Sequence, residues 1–180
     1  MIATHSLAVR QTLGGRPLRC HSRAMTTAEK RSVVPFVVSA TGSGVAQRLV
    51  TGGSAHEFHT DAYPAFGGED KAPSPLFYAL GALTSCNQVT ASLVAKDLGI
   101  ALGEFTFEVK GDLDTAVLVQ GAEGNANFDT VTVSAVVESD ASEQQFAEFV
   151  AETERRCPVS QLFVRSGLEF VNNWTQAPLS

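Results

Sequence analysis

The stretch from Ser74 to Gly99, SPLFYALGALTSCNQVTASLVAKDLG, constrains this chain more than any other, because it carries both ends of one long helix. Ser74 offers a hydroxyl to the first free amides, and Pro75 suits the first helical position, where its missing N–H costs nothing. Gly99 stands where a left-handed C-terminal residue is wanted. Such a helix runs roughly 36 Å at 1.5 Å per residue, enough to cross a small domain. Leu76, Phe77, Ala79, Leu80, Ala82 and Leu83 are apolar nearly all round, which predicts that its first half is buried. Thr84-Ser85-Cys86-Asn87-Gln88 then breaks the pattern. Five polar or reactive residues in a buried helix need hydrogen-bond partners, a cavity or a partner surface. An isolated cysteine is usually a small core hydrophobe; the polar belt around Cys86 argues for chemistry instead.

The rest of the composition narrows the class. A chain of 180 residues, 44% hydrophobic and 18% charged, has the size and balance of one globular domain. A formal charge of −6 supplies no basic footprint, which argues against nucleic-acid binding. No apolar run approaches the length of a membrane span. Cys20, Cys86 and Cys157 are odd in number and widely spaced, which fits thiol chemistry in a reducing compartment better than a disulfide framework.

Residues 1–30 differ from all that follows. Arg10, Arg16, Arg19 and Arg23 occur among Ser, Thr, Leu and Ala with no acidic residue before Glu29. That composition reads as a mitochondrial transit peptide, the alternative being a basic arm on a cytoplasmic protein. The expected domain therefore spans residues 33–174, with 175–180 as a C-terminal tail.

Within that domain, Val33 to Val38 and Val45 to Val50 read as strands joined by a turn at Thr41-Gly42-Ser43-Gly44, with a third strand from His56 to Thr60. The Pro/Gly punctuation of Tyr63 to Pro73 is a loop. After the long helix, Phe105, Phe107 and Val109 alternate as in a half-buried strand, Ala116 to Val119 has weak strand character, and Phe128 to Val137 is a second clear strand. Asp140 to Arg156 reads as a helix with Asp140 and Glu143 at capping-box spacing and a stripe of Phe146, Phe149, Val150 and Thr153. Pro158 opens another helix and makes Cys157 its N-cap, where free amides, the dipole and the preceding Arg155 and Arg156 favour a thiolate. Leu168 to Trp174 is a last strand.

Cys86 and Cys157 are thus the candidate chemistry. A thiol that reacts with peroxide forms a sulfenic acid, which a second thiol can resolve as a disulfide; two unrelated buried cysteines remain the alternative. His56 and His59 are three apart in a strand and point to opposite faces, so they are expected at the surface or an interface rather than on a metal. With no C-x-x-C or H-E-x-x-H pattern zinc is not indicated, and no phosphate-binding motif points to a nucleotide or other cofactor.

The residues Asp61-Ala62-Tyr63-Pro64, Gly67-Gly68, Pro73-Ser74-Pro75-Leu76, Ala79-Leu80-Gly81-Ala82-Leu83 and Cys86, followed by Cys157-Pro158-Val159, resemble the OsmC/Ohr family of osmotically inducible and organic-hydroperoxide-resistance proteins. The resemblance covers roughly residues 33–174. It implies an α/β (α+β) fold, a curved antiparallel sheet wrapped around a long central helix in an intertwined homodimer. It also implies an oxidative-stress enzyme that reduces organic hydroperoxides, with Cys86 peroxidatic, Cys157 resolving, and a lipoyl-type or small dithiol as reductant. Two family features are replaced here: Leu76-Phe77 stands where the peroxidases carry a glutamate, and neither Ala40-Thr41-Gly42-Ser43-Gly44 nor Phe66-Gly67-Gly68 holds the arginine that pairs with it. The alternative is therefore an OsmC-fold dimer that senses redox state or binds an apolar ligand without turnover. A buried thiolate needs a cation, and Arg48 is the first candidate, ahead of Lys71; Arg155 and Arg156 lie closer to Cys157.

Overall fold

The long helix forms where its end signals lie. In the computed structural model, which describes residues 32–180, α1 spans Pro75–Leu98, with Ser74 Oγ accepting from the Leu76 amide and Gly99 closing the C-terminus at a left-handed φ of 69°. The segment read as a transit peptide, and Cys20 within it, lie outside the described residues.

The compact unit Phe36–Ser180 carries two three-stranded sheets rather than one. Strands β1 (Val38–Ser43), β2 (Ala46–Thr51) and β3 (Glu57–Thr60) pair antiparallel in that order. The first hairpin is displaced from its expected place: Thr41, Gly42 and Ser43 belong to β1, and the turn is the two residues Gly44-Val45, with Ser43 opposite Ala46. Gly44 takes a φ of 61°, the left-handed conformation that such a tight turn requires. A 3-10 turn, Pro64–Phe66, interrupts the loop that leads to α1.

The second sheet, in the order β4 (Leu102–Asp112), β5 (Thr130–Ser139), β6 (Glu169–Ala177), is mixed: β4 and β5 are antiparallel, and β5 and β6 run parallel. Helices α3 (Glu143–Arg156) and α4 (Pro158–Arg165) bridge β5 to β6, the crossover that a parallel pair demands. The last strand takes in Thr175 to Ala177, residues expected in the tail. Ala116–Gln120 is a short helix, α2, not a strand, because Asp114 Oδ1 accepts from the Ala116 amide at its start and Gly121 ends it. The α3 cap is Ser142 with Gln145 rather than Asp140 with Glu143; Asp140 instead accepts from the Ala101 amide at 2.8 Å.

The core lies between the second sheet and the helices. Val131, Val133, Ala135 and Val137 alternate inward along β5; Ala135 and Val137 meet Ala91, Val94 and Ala95 of α1 and Phe146 and Phe149 of α3, while Val131 and Val133 meet Leu83 of α1. Trp174 packs edge-on to Phe149 at 5.9 Å and to Phe107 at 5.6 Å. The burial of α1 is the reverse of the sequence expectation: its second half is the buried one. In the first half only Leu83 is fully buried, while Phe77 is 54% exposed. The exposed face continues through Gly81, Ser85, Val89 and Leu93, one residue every four, so that a single line runs the length of the helix. Tyr63 meets Phe77 edge-on at 6.4 Å, and the residues beyond Phe77 on that line are exposed.

Candidate functional site

Two helices bring the two sequence-candidate thiols together. Cys86 lies half-buried at mid-α1, and Cys157 is fully buried at the junction of α3 and α4. They act directly on one another, and each is a free thiol. The local reason for Cys157 is its N-cap position: with Pro158 at the first helical position, its sulfur accepts from the Ser160 amide, three residues on, at 3.4 Å.

The environments of the two sulfurs differ. Burial pushes the Cys86 thiol up; the Val159 amide works against it, the neighbouring Cys157 adds to the rise, and the Thr90 hydroxyl opposes it least. Burial also disfavours charge on Cys157, but the hydroxyl and amide of Ser160, the Cys86 thiol and the Val159 amide outweigh it and hold Cys157 below the ordinary thiol range. The first proton lost from the pair therefore leaves its charge on Cys157.

None of the candidate cations acts on Cys86. Arg48 is bound to Glu57 on the neighbouring strand, whose carboxyl it holds below the usual range. Lys71 pairs with Glu69. Arg155 binds Glu152 at 2.8 Å and Arg156 binds Asp97 at 2.6 Å, so the two arginines expected to assist Cys157 neutralise carboxylates instead. Arg48 lines a polar cleft of about 540 Å³ with Thr41, His59, Asp61 and Lys71. His56 and His59 are exposed, as expected, and His59 lies 3.6 Å from Glu57. Among the described residues no cluster of His, Cys, Asp and Glu is fit to hold a metal ion.

The structure adds residues that the sequence argument passed over. Asn87 and Ser160 are both fully buried, and the Ser160 hydroxyl donates to Asn87 Oδ1 at 3.1 Å, tying α1 to α4 beside the thiols. The signal was present: Ser160 holds the third position of a helix capped by Cys157, and Asn87 belongs to the polar belt. An apolar groove of about 350 Å³, lined by Ala79, Ala82, Phe128, Val159, Leu162 and Phe163, adjoins the pair through Val159. Asp61 is 5% exposed and gathers the approach loop, accepting from the amides of Ala62, Glu69 and Lys71 at 2.8, 3.1 and 3.0 Å.

The fold has known parallels. The family model described as OsmC-like protein matches residues 68–171, which include both cysteines. An OsmC-like protein from Mycoplasma pneumoniae shares 20% identity and a TM-score of 0.67, over 83% of this chain and 99% of that one. An organic hydroperoxide resistance protein from Elizabethkingia anophelis, crystallised with thiocyanate, shares 19% identity and a TM-score of 0.64, over 82% of this chain and all of that one. A Legionella pneumophila protein described as an organic hydroperoxide resistance protein OsmC shares 18% identity and a TM-score of 0.59, over 81% and 99%. At such identities the likeness is one of fold. No curated protein matches this chain in sequence.

Proposed function

The chain belongs to the OsmC-like protein family, and from that premise and its thiol pair we propose that it is a thiol-dependent peroxidase that reduces organic hydroperoxides in oxidative-stress defence. The observation that carries this reading is that Cys86 and Cys157 lie close enough for each thiol to shift the other. Cys86, the more accessible sulfur, attacks the terminal peroxide oxygen as its thiolate; the O–O bond breaks, and the alkoxide leaves and is protonated to the alcohol. The Cys157 thiolate then attacks the Cys86 sulfenic sulfur, forming the S–S bond and releasing hydroxide, which is protonated to water. A dithiol, lipoyl-type or small, returns two electrons and two protons and becomes a disulfide. The apolar groove beside Val159 would take the organic part of the substrate. Cumene hydroperoxide added to the reduced chain, followed by mass spectrometry, tests the reading: a Cys86–Cys157 disulfide with consumption of peroxide supports it, and neither outcome appearing rejects it.

The proposal includes a homodimer. An exposed line of Phe77, Val89 and Leu93 on α1, with room for a close approach at Gly81, suits a second copy of the same helix. It also includes a mitochondrial address in residues 1–30, tested by import of the full chain into isolated mitochondria. Among the described residues no helix is long and apolar enough to cross a membrane.

A second reading, a redox sensor or apolar-ligand binder of the same fold, is favoured by the raised Cys86 thiol and the absence of a cation among the groups acting on it. Only the thiolate is nucleophilic, so such a thiol reacts slowly at neutral pH. Oxidation to the disulfide without catalytic turnover in the presence of dithiol would select it.

A further inference from the structure

Cys86 and Cys157 belong to different helices, and the fold has to fix one against the other. A chain of hydrogen bonds between buried groups runs from the first helix to the second sulfur. Asn87, the residue after Cys86 on α1, donates from Nδ2 to the Leu83 carbonyl one turn back at 3.0 Å. A carbonyl can only accept, so this bond decides which way the amide faces and leaves Oδ1 for the other helix. Oδ1 accepts from the Ser160 hydroxyl of α4 at 3.1 Å. The main-chain amide of the same Ser160 donates to Cys157 Sγ at 3.4 Å. Asn87, Ser160 and Cys157 are all fully buried, so bulk water does not replace a lost bond.

We propose that Asn87 is a positioning residue for the disulfide step: through Ser160 it holds Cys157 Sγ in the place from which that sulfur closes on Cys86. Asn87 itself bonds to neither sulfur. The Ser160 hydroxyl ties α4 to the residue beside Cys86, and the Ser160 amide fixes the Cys157 sulfur on α4. In the closing step the Cys157 thiolate attacks the Cys86 sulfur and the S–S bond forms. The group that Cys86 carried leaves with the electron pair and is protonated: hydroxide from a sulfenic acid becomes water, and a thiolate from a mixed disulfide becomes a thiol. Such an intramolecular step gains from every motion fixed beforehand. Without the Asn87–Ser160 bond, Cys157 still caps α4, but α4 has lost a tie to α1. Closing must then also restrict the motion that the bond had removed.

The inference rests on the thiol pair of the proposed peroxidase but not on turnover, so its test uses no peroxide. The full-length chain, with Cys20→Ser as background, is equilibrated at one pH with mixtures of reduced and oxidised dithiothreitol. The two protein thiols pass two electrons and two protons to the cyclic disulfide, and mass spectrometry gives the fraction that carries the Cys86–Cys157 bond. Ser160→Ala deletes the hydroxyl and keeps the amide on the sulfur. It should need about tenfold more oxidised reagent for half-conversion, within the roughly hundredfold that a misplacement of about 1 Å can cost. Asn87→Leu, of similar volume, should shift the midpoint by about as much. The double variant should go no further than either single one, because both remove the same bond. Ser160→Thr, which keeps the hydroxyl, should return the parent value.

A bond with a merely structural role would weaken the dithiol and disulfide forms alike, lowering both urea midpoints and leaving the redox midpoint in place. That result overturns the proposal, and so do shifts that add in the double variant or a shift toward easier closing. A parent chain that forms no Cys86–Cys157 disulfide at any ratio overturns it as well. Should Asn87→Leu not fold, Ser160→Ala and Ser160→Thr decide between them. Failure of the parent chain to consume hydroperoxide, with these shifts present, would reject the peroxidase reading and leave this inference standing.

Discussion

The Tyr78 hydroxyl donates to the main-chain oxygen of His59 at 2.7 Å, and its ring meets Phe58 at 5.2 Å, so that one residue of α1 anchors the first sheet. Among the described residues no other side chain from α1 onward hydrogen-bonds to β1, β2 or β3. Tyr78→Phe keeps the ring contact and removes the bond, a net loss of about 1 kcal/mol. The expected outcome is faster amide exchange in β1–β3 with exchange in β5 unchanged. Equal protection of the first sheet in both proteins would show that something other than Tyr78 holds it.

Asp61 makes the approach loop pH-sensitive. The amides of Lys71 and Ala62 hold its carboxyl below the usual range, and the Glu69 amide adds to them. A depressed folded value means that the carboxylate stabilises the native loop above its unfolded value of about 3.9, and that this is lost as pH falls through the lower folded value. Limited proteolysis between Ala62 and Lys71 should accelerate in that acid window. Asp61→Asn should cleave readily at neutral pH and lose the acid dependence.

Val89, 63% exposed at mid-α1, tests the dimer. Sedimentation of the wild type should give twice the chain mass, and Val89→Glu should shift it toward the monomer, because a charge buried between helices is costly without a partner. A wild type that sediments as a monomer at all concentrations removes the dimer.

Much of this architecture was legible because local signals and packing agreed. Ser74, Pro75 and Gly99 mark α1 through backbone chemistry that no distant contact overrides, and the two-residue period of β5 records one buried face. The misreadings share a cause. Ala116–Gln120 has strand-like side chains, but the Asp114 carboxylate accepting from the Ala116 amide and a C-terminal glycine decide its backbone. The first half of α1 is apolar yet only Leu83 in it is fully buried, since composition reports apolar surface and not what covers it. The approach of Cys86 to Cys157 depends on how α1 packs on α4, which spacing alone does not encode. Arg48 is a cation by type, but its strand neighbour β3 brings it Glu57, two residues from its register partner His59.

That pairing reverses the expectation for Arg48. Bound to Glu57 on an exposed sheet, it is not among the groups that act on Cys86 within one chain, so Arg48→Ala should leave the Cys86 alkylation profile as in the wild type. The pairing does hold Glu57, whose carboxyl should titrate closer to its ordinary value in the variant. Alkylation slowed several-fold by Arg48→Ala would place this arginine at the thiol of a second copy.

The order of ionisation gives the sharpest test of the site. Burial raises Cys86, and Cys157 raises it further, because a charge already present on one sulfur opposes a charge on the other. Cys157→Ser removes the second influence and leaves the first. The Cys86 midpoint should therefore fall, and below it the rate of sulfenic acid formation at a fixed pH should rise, tenfold for each pH unit of the shift. With no second thiol the sulfenic acid should persist long enough to be trapped by a dione reagent. Alkylation rate against pH, followed by mass spectrometry at Cys86, measures the midpoint. An unchanged or higher midpoint in Cys157→Ser would mean that Cys157 does not govern Cys86, and the coupled-pair account of the site would fail.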